Sequence, residues 1–179
     1  MLFQKIIIGF IFLFSINLYS QTGVKISGST GYGSISGNIP DLTAFSFTAG
    51  IQFPSKIIND ADINVELVWA KSYKYFFPSS VKKYYSSVTG ISITAVVKQE
   101  LNEKFFLEES TGYLFLYDNT YEFQSSSNNG INFNAALGIN TDKKNPQSNA
   151  VLFGFNYGLT FTNNNTSFLI TYLKYKITL

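Results

Sequence analysis

The sequence predicts an all-β chain, an eight-stranded antiparallel up-and-down transmembrane β-barrel behind an N-terminal signal peptide. Three observations carry that prediction. Large apolar residues alternate with small polar ones through most of the chain, the period of an extended strand with two unlike faces. Charged residues make up 13% of the 179 residues, against 45% hydrophobic ones, and water-soluble domains carry about twice that charge. Clusters of Asn, Asp, Gly, Pro and Ser divide the chain into eight runs, an even number that suits closure.

Residues 1–20 read as the signal peptide. Lys5 supplies the positive start, Ile6 to Ile16 the apolar core, and Asn17-Leu18-Tyr19-Ser20 the polar end before a cut that leaves Gln21 first. The apolar stretch falls short of the ~20 residues that span a bilayer, so it is a cleaved signal and not an anchor. Residues 21–179 form the barrel domain.

The runs follow in order at about 24–36, 42–53, 62–73, 85–97, 104–117, 130–140, 150–162 and 167–179. Gly37-Asn38-Ile39-Pro40-Asp41 breaks the first from the second, and 54–61 the second from the third. The third is two-faced: Ile63, Val65, Leu67 and Trp69 alternate with Asn64, Glu66, Val68 and Ala70. Segments 74–84 and 98–103 bound the fourth. Segment 118–129, with Ser125-Ser126-Ser127-Asn128-Asn129, reads as a loop with a mobile tip between the fifth and sixth. The sixth sets Ile131, Phe133, Ala135, Leu137 and Ile139 against Asn and Gly, and the seventh sets Val151, Phe153, Phe155, Tyr157, Leu159 and Phe161 against Gly, Asn and Thr. After 163–166 the last run keeps Leu173, Tyr175, Ile177 and Leu179 on one face. Short connectors between consecutive strands make an antiparallel meander.

A soluble sandwich would need charged outer faces, whereas the faces opposite the apolar ones carry Asn, Ser, Thr, Gly and Gln. Such groups suit a narrow lumen, with the apolar faces turned to lipid. Strands persist in a bilayer only if the sheet closes, because each unpaired backbone group there costs several kcal/mol. The runs hold 11–14 residues, enough for the roughly 9–11 needed at a tilt of about 45°. Phe53 and Phe105 fall at one end of the strands and Trp69, Tyr73, Tyr117 and Phe161 at the other, the two bands of an aromatic girdle. Entry from the periplasm puts both termini and connectors 54–61, 98–103 and 141–149 on that side.

The absences exclude chemistry. There is no Cys and no His, so disulfides, thiolate metal sites and Ser/His catalysis are gone. Thirteen lysines without one arginine, scattered along the chain, argue against nucleic acid. No enzyme activity, cofactor or metal is expected.

Glu66, Glu108, Lys174 and Lys176 are the charges well inside runs on the polar face. Glu66, Glu108 and Lys174 come out at a similar level, roughly 10–13 Å above the periplasmic turns. They predict a buried ion-pair plug, with a selective pore or proton path as the alternative. Leu114, Leu116, Phe168, Ile170 and Tyr172 gather near the external mouth as an apolar pocket or as lumen packing. Glu108 and Glu109 point to opposite faces, which calls for a bulge after Leu107 or an interfacial position. The basic, aromatic loop with Lys71, Lys74, Lys82, Lys83, Tyr73, Tyr75, Phe76, Phe77, Tyr84 and Tyr85 is either a glycan or lipopolysaccharide contact or a solvated rim.

Gly23-Val24-Lys25, Phe47-Thr48-Ala49-Gly50-Ile51, Val65-Glu66-Leu67, Phe105-Phe106-Leu107-Glu108 and Gly112-Tyr113-Leu114 resemble the small outer-membrane β-barrel family common in Bacteroidota, the porin-like or PorT-like proteins. The last strand departs from that pattern by ending at Leu179 instead of Phe. The resemblance implies an outer-membrane location in a Gram-negative bacterium, with outer-membrane lipid as partner, lipopolysaccharide too where the basic, aromatic loop is a contact, and the barrel assembly machinery during biogenesis. The expected protein is a monomer with a structural or surface-interaction role. A narrow porin or carrier for small or hydrophobic solutes, and a secreted lipocalin-like binder, are the alternatives.

Overall fold

A computed structural model describes residues 23–37, 41–55, 61–78, 84–121, 124–141, 149–162 and 165–179. The expected signal peptide lies outside the described residues. Eight strands follow one another: β1 (Lys25–Ser36), β2 (Leu42–Pro54), β3 (Ala61–Ser72), β4 (Ser87–Glu100), β5 (Phe105–Tyr121), β6 (Gln124–Asn140), β7 (Ala150–Thr160) and β8 (Ser167–Thr178). A single-turn helix, α1 (Tyr73–Phe76), interrupts the connection from β3 to β4. Each strand pairs antiparallel with its sequence neighbours, and β8 closes on β1. Closure leaves no sheet edge.

The register fixes the shape of the ring. Lys25, Gln52, Asn64, Thr94, Gly112, Asn132, Gly158 and Phe168 are successive partners, and the path returns to β1 at Ile35, ten residues beyond its start. Ten residues of stagger at ~3.3 Å each, over strands ~4.8 Å apart, tilt the strands by about 40°. The end that carries both chain termini is called the lower end here, and the other the upper end.

The faces divide as the alternation requires. Ile63, Val65, Leu67 and Trp69 of β3 point outward while Asn64, Glu66, Val68 and Ala70 are buried in the lumen. Leu67, Phe153, Leu173 and Phe155 leave about half or more of their surface exposed on the outer wall. Inside, Ile35, Val68, Val88, Leu114, Leu116, Phe168 and Ile170 form an apolar layer towards the upper end. Two lumen phenyl rings fit because glycine faces them. Phe106 lies over Gly138 and Phe168 over Gly158, where an added Cβ would come within 2.1 Å and 2.3 Å of the rings.

Two expectations change. Ser125 to Asn129 is strand and not a loop tip: β6 runs on past β7, paired with a β5 that β4 flanks as far as Asn119, with Leu116 opposite Asn128, Tyr117 opposite Ser127 and Asp118 opposite Ser126. The β6 ladder to β7 begins only at Gly130. The polar sequence is held extended by its pairing with Phe115, Leu116, Tyr117 and Tyr121 of β5, which outweighs its own weak strand preference. The bulge after Leu107 is also absent. Register runs unbroken through Lys98 opposite Glu108 and Val97 opposite Glu109, and the irregularity of β5 lies between Asp118 and Tyr121. Glu109 is therefore an outward carboxylate near the lower end of the wall.

Candidate functional site

The lumen is tied across by two layers of polar side chains. In the lower layer Lys25 pairs with Asp62 at 2.9 Å, and Gln52 donates to the same carboxylate at 2.6 Å. Lys176 then donates to Gln52 Oε1 at 2.6 Å and grips both oxygens of Glu108 at 2.8 and 2.6 Å. The chain of contacts therefore crosses the lower mouth through β1, β3, β2, β8 and β5. In the layer above, Lys174 donates to Glu66 Oε1 at 2.8 Å, Thr48 donates to the same oxygen at 2.9 Å, and Ser29 lies 2.7 Å from Thr48.

The four charges singled out in sequence thus meet as two pairs, Glu66 with Lys174 and Glu108 with Lys176. They do not share one level. The stagger puts Glu66 roughly 9 Å further up the axis than Glu108, because β5 starts lower on the wall than β3. Burial differs as well: Glu66 is fully enclosed, whereas the Glu108 side chain keeps 12% of its surface open at the mouth. Sequence reading missed Lys25, Gln52 and Asp62. The signal was present, since Asp62, Asn64 and Glu66 share one parity on β3, but Asp62 sits at the strand's end where run boundaries are least sharp.

Leu114, Leu116, Phe168, Ile170 and Tyr172 are all buried and packed together. Together they fill the upper lumen. The gap beside them, bounded by Ser29, Ser46, Thr48, Val68, Asn156, Phe168, Ile170 and Tyr172, measures about 10 Å³, at most the room of one water. Above this layer Asp118 is fully buried and accepts from the Thr166 hydroxyl at 2.5 Å and from the Thr120 backbone N–H at 2.7 Å. The Ser86 hydroxyl reaches the Thr120 carbonyl at 2.8 Å. Polar bonds thereby tie β5 to the segments that lead into β4 and β8 above the apolar layer.

On the outer wall Phe53 lies near the lower end of β2 and Phe105 at the foot of β5, while Trp69, Tyr117 and Phe161 stand towards the upper end. Tyr73 belongs to α1 and leans on the wall, 5.5 Å from Phe45 and 6.3 Å from Tyr32, ring centre to ring centre. Among the described residues no group of three or more acidic residues is placed to hold a metal ion.

No family model matches the chain, and no curated protein matches it. Solved structures do. The fold is similar to that of Neisserial surface protein A, at 11% identity over 88% of this chain and 98% of that one, with a TM-score of 0.70. Ail, the attachment invasion locus protein of Yersinia pestis, aligns at 12% identity over 88% and 99% with a TM-score of 0.53. The N-terminal β-barrel domain of Pseudomonas aeruginosa OprF aligns at 9% identity over 87% and 98% with a TM-score of 0.50. At these identities the likeness is one of fold.

Proposed function

We propose that this chain is a non-enzymatic integral outer-membrane barrel with a structural or surface-interaction role, exported by its first twenty residues and inserted as a monomer. The observation that carries the reading is an inverted protein: a wall of exposed Leu, Ile, Val and Phe around a lumen of Asn, Ser, Thr and paired charges. In water such a wall would aggregate, and in a bilayer it is the lipid face. The upper end then faces outward. Support for a surface role comes from the fold neighbours, of which one is named a surface protein and another an attachment invasion protein. Membership of the Bacteroidota porin-like or PorT-like family, and assembly by the barrel machinery with outer-membrane lipid as the surrounding partner, belong to the same proposal.

The filled lumen weighs against the channel and the lipocalin-like binder. A conducting pore needs a continuous water path, and here two layers of polar side chains cross the lumen and the packed apolar residues above them leave a gap of about 10 Å³. Membrane fractionation tests the location: the protein should leave the outer membrane only with detergent and should migrate differently on gels before and after boiling. Planar-bilayer recording tests the lumen. No single-channel current is expected, and discrete openings would return the channel to first place.

A further inference from the structure

On the outer wall at the upper end, aromatic rings crowd into the sector formed by β1, β2 and β3. Tyr32, Phe45, Phe47 and Trp69 stand on the strands, and α1 lays Tyr73 and Phe76 against them. Phe47 stacks on Trp69 at 5.6 Å, while Phe76 meets Phe45 at 5.4 Å and Trp69 at 6.2 Å, edge to face. Phe77 stacks on Tyr73 at 5.0 Å. No residue of α1 is buried, so the helix presents a platform and does not plug the barrel.

Two cations flank the platform. Lys71, outward on β3, holds its ammonium 3.6 Å from the centre of the Tyr75 ring, and Lys74 lies in α1. Among the described residues neither forms an ion pair, whereas Lys25, Lys98, Lys174 and Lys176 all do. They are also the only lysines near the upper end among those residues, and the described carboxylate on that sector is Asp41 at the head of β2. The opposite side of the rim, at the β5–β6 hairpin, sets Gln, Ser and Asn of β6 beside outward Tyr117 and Tyr121 of β5 and carries no described lysine.

Resting on the outer-membrane reading above, we propose that this sector binds the phosphorylated glucosamine headgroup of the outer-leaflet glycolipid, lipid A. Flat π faces accept the C–H face of a sugar ring, and the ammoniums held beside them accept its phosphates. The height on the wall puts both at the level of the headgroups. A second copy of the chain fits poorly, since a two-fold contact through this patch would bring Lys71 and Lys74 against their own counterparts.

Trp69 is the only tryptophan in the sequence, so its emission reports on the site. Bisphosphorylated lipid A titrated into the purified barrel in detergent should give a saturable change in emission, with phosphatidylglycerol binding at least several-fold more weakly. The Lys71→Gln, Lys74→Gln double variant, checked for folding by its unboiled gel mobility, should lose roughly tenfold in affinity. Tyr75→Leu, which removes the ring beneath Lys71, should lose part of that. Equal affinity for phosphatidylglycerol, or self-association that depends on the rings, would overturn the proposal. So would a folded, heat-modifiable barrel whose emission ignores lipid A, and that result leaves the outer-membrane reading standing. Recovery of folded protein in water without detergent removes both.

Discussion

Removing one member of the Glu66–Lys174 pair leaves the other charge enclosed, and that stranded charge, more than the lost attraction, sets the cost. Glu66→Gln should therefore destabilise the barrel by about 3–5 kcal/mol, and Lys174→Met by a similar amount. The double variant should lose clearly less than the two singles together. Urea unfolding midpoints of the four proteins in lipid provide the cycle, and additive losses would show that the pair is not coupled. Single-channel current should stay absent in Glu66→Gln, since Thr48, Ser29 and the apolar layer remain in place. The four paired charges were legible in the sequence because strand parity alone decides which side chains enter the lumen. Their division into two levels was not, because level depends on the stagger between strands, and no residue in the chain encodes that locally.

Strands forgive less inside than outside. Gly138→Ala drives a methyl group into the Phe106 ring and should cost about 1–3 kcal/mol by overpacking. Gly28→Ala, on the outer wall with only a carbonyl 3.9 Å from the new group, should stay within about 0.5 kcal/mol. A comparison of heat-induced gel-mobility shifts reads both, and equal midpoints would mean that the phenyl ring has room to move aside. The β5–β6 hairpin shows where pattern reading stops at this scale. Residues 124–129 carry neither apolar alternation nor β-branched side chains, so nothing local marks them as strand. Their extension is imposed by partners such as Leu116 and Tyr117, which are visible only once the register is known. Glu109 teaches the converse. Its outward parity conflicts with a lipid face, and its nearness to the lower end resolves that conflict without the bulge that parity alone suggests.

Surroundings, as much as sequence, define the whole molecule. Leu67 is 57% exposed on the outer wall at mid-height, so a soluble protein would accept Leu67→Lys with little change. In a bilayer the same substitution should cost about 2–4 kcal/mol, seen as a lower folded yield in lipid vesicles with little loss in short-chain detergent micelles. Equal yields in both would count against the lipid face. The low charge count and the alternation made the barrel legible across the chain, since both follow from the solvent inversion. The cross-lumen pairs add a temporal order. Both ammoniums, Lys174 and Lys176, ride on β8, the final strand, while their carboxylates wait on β3 and β5. A sheet of seven strands holds Glu66 and Glu108 without those cations, so docking of β8 against β1 joins the seam and neutralises the interior in one event. A ring left open at this seam has unpaired strand edges and leaves Glu66 and Glu108 without their cations.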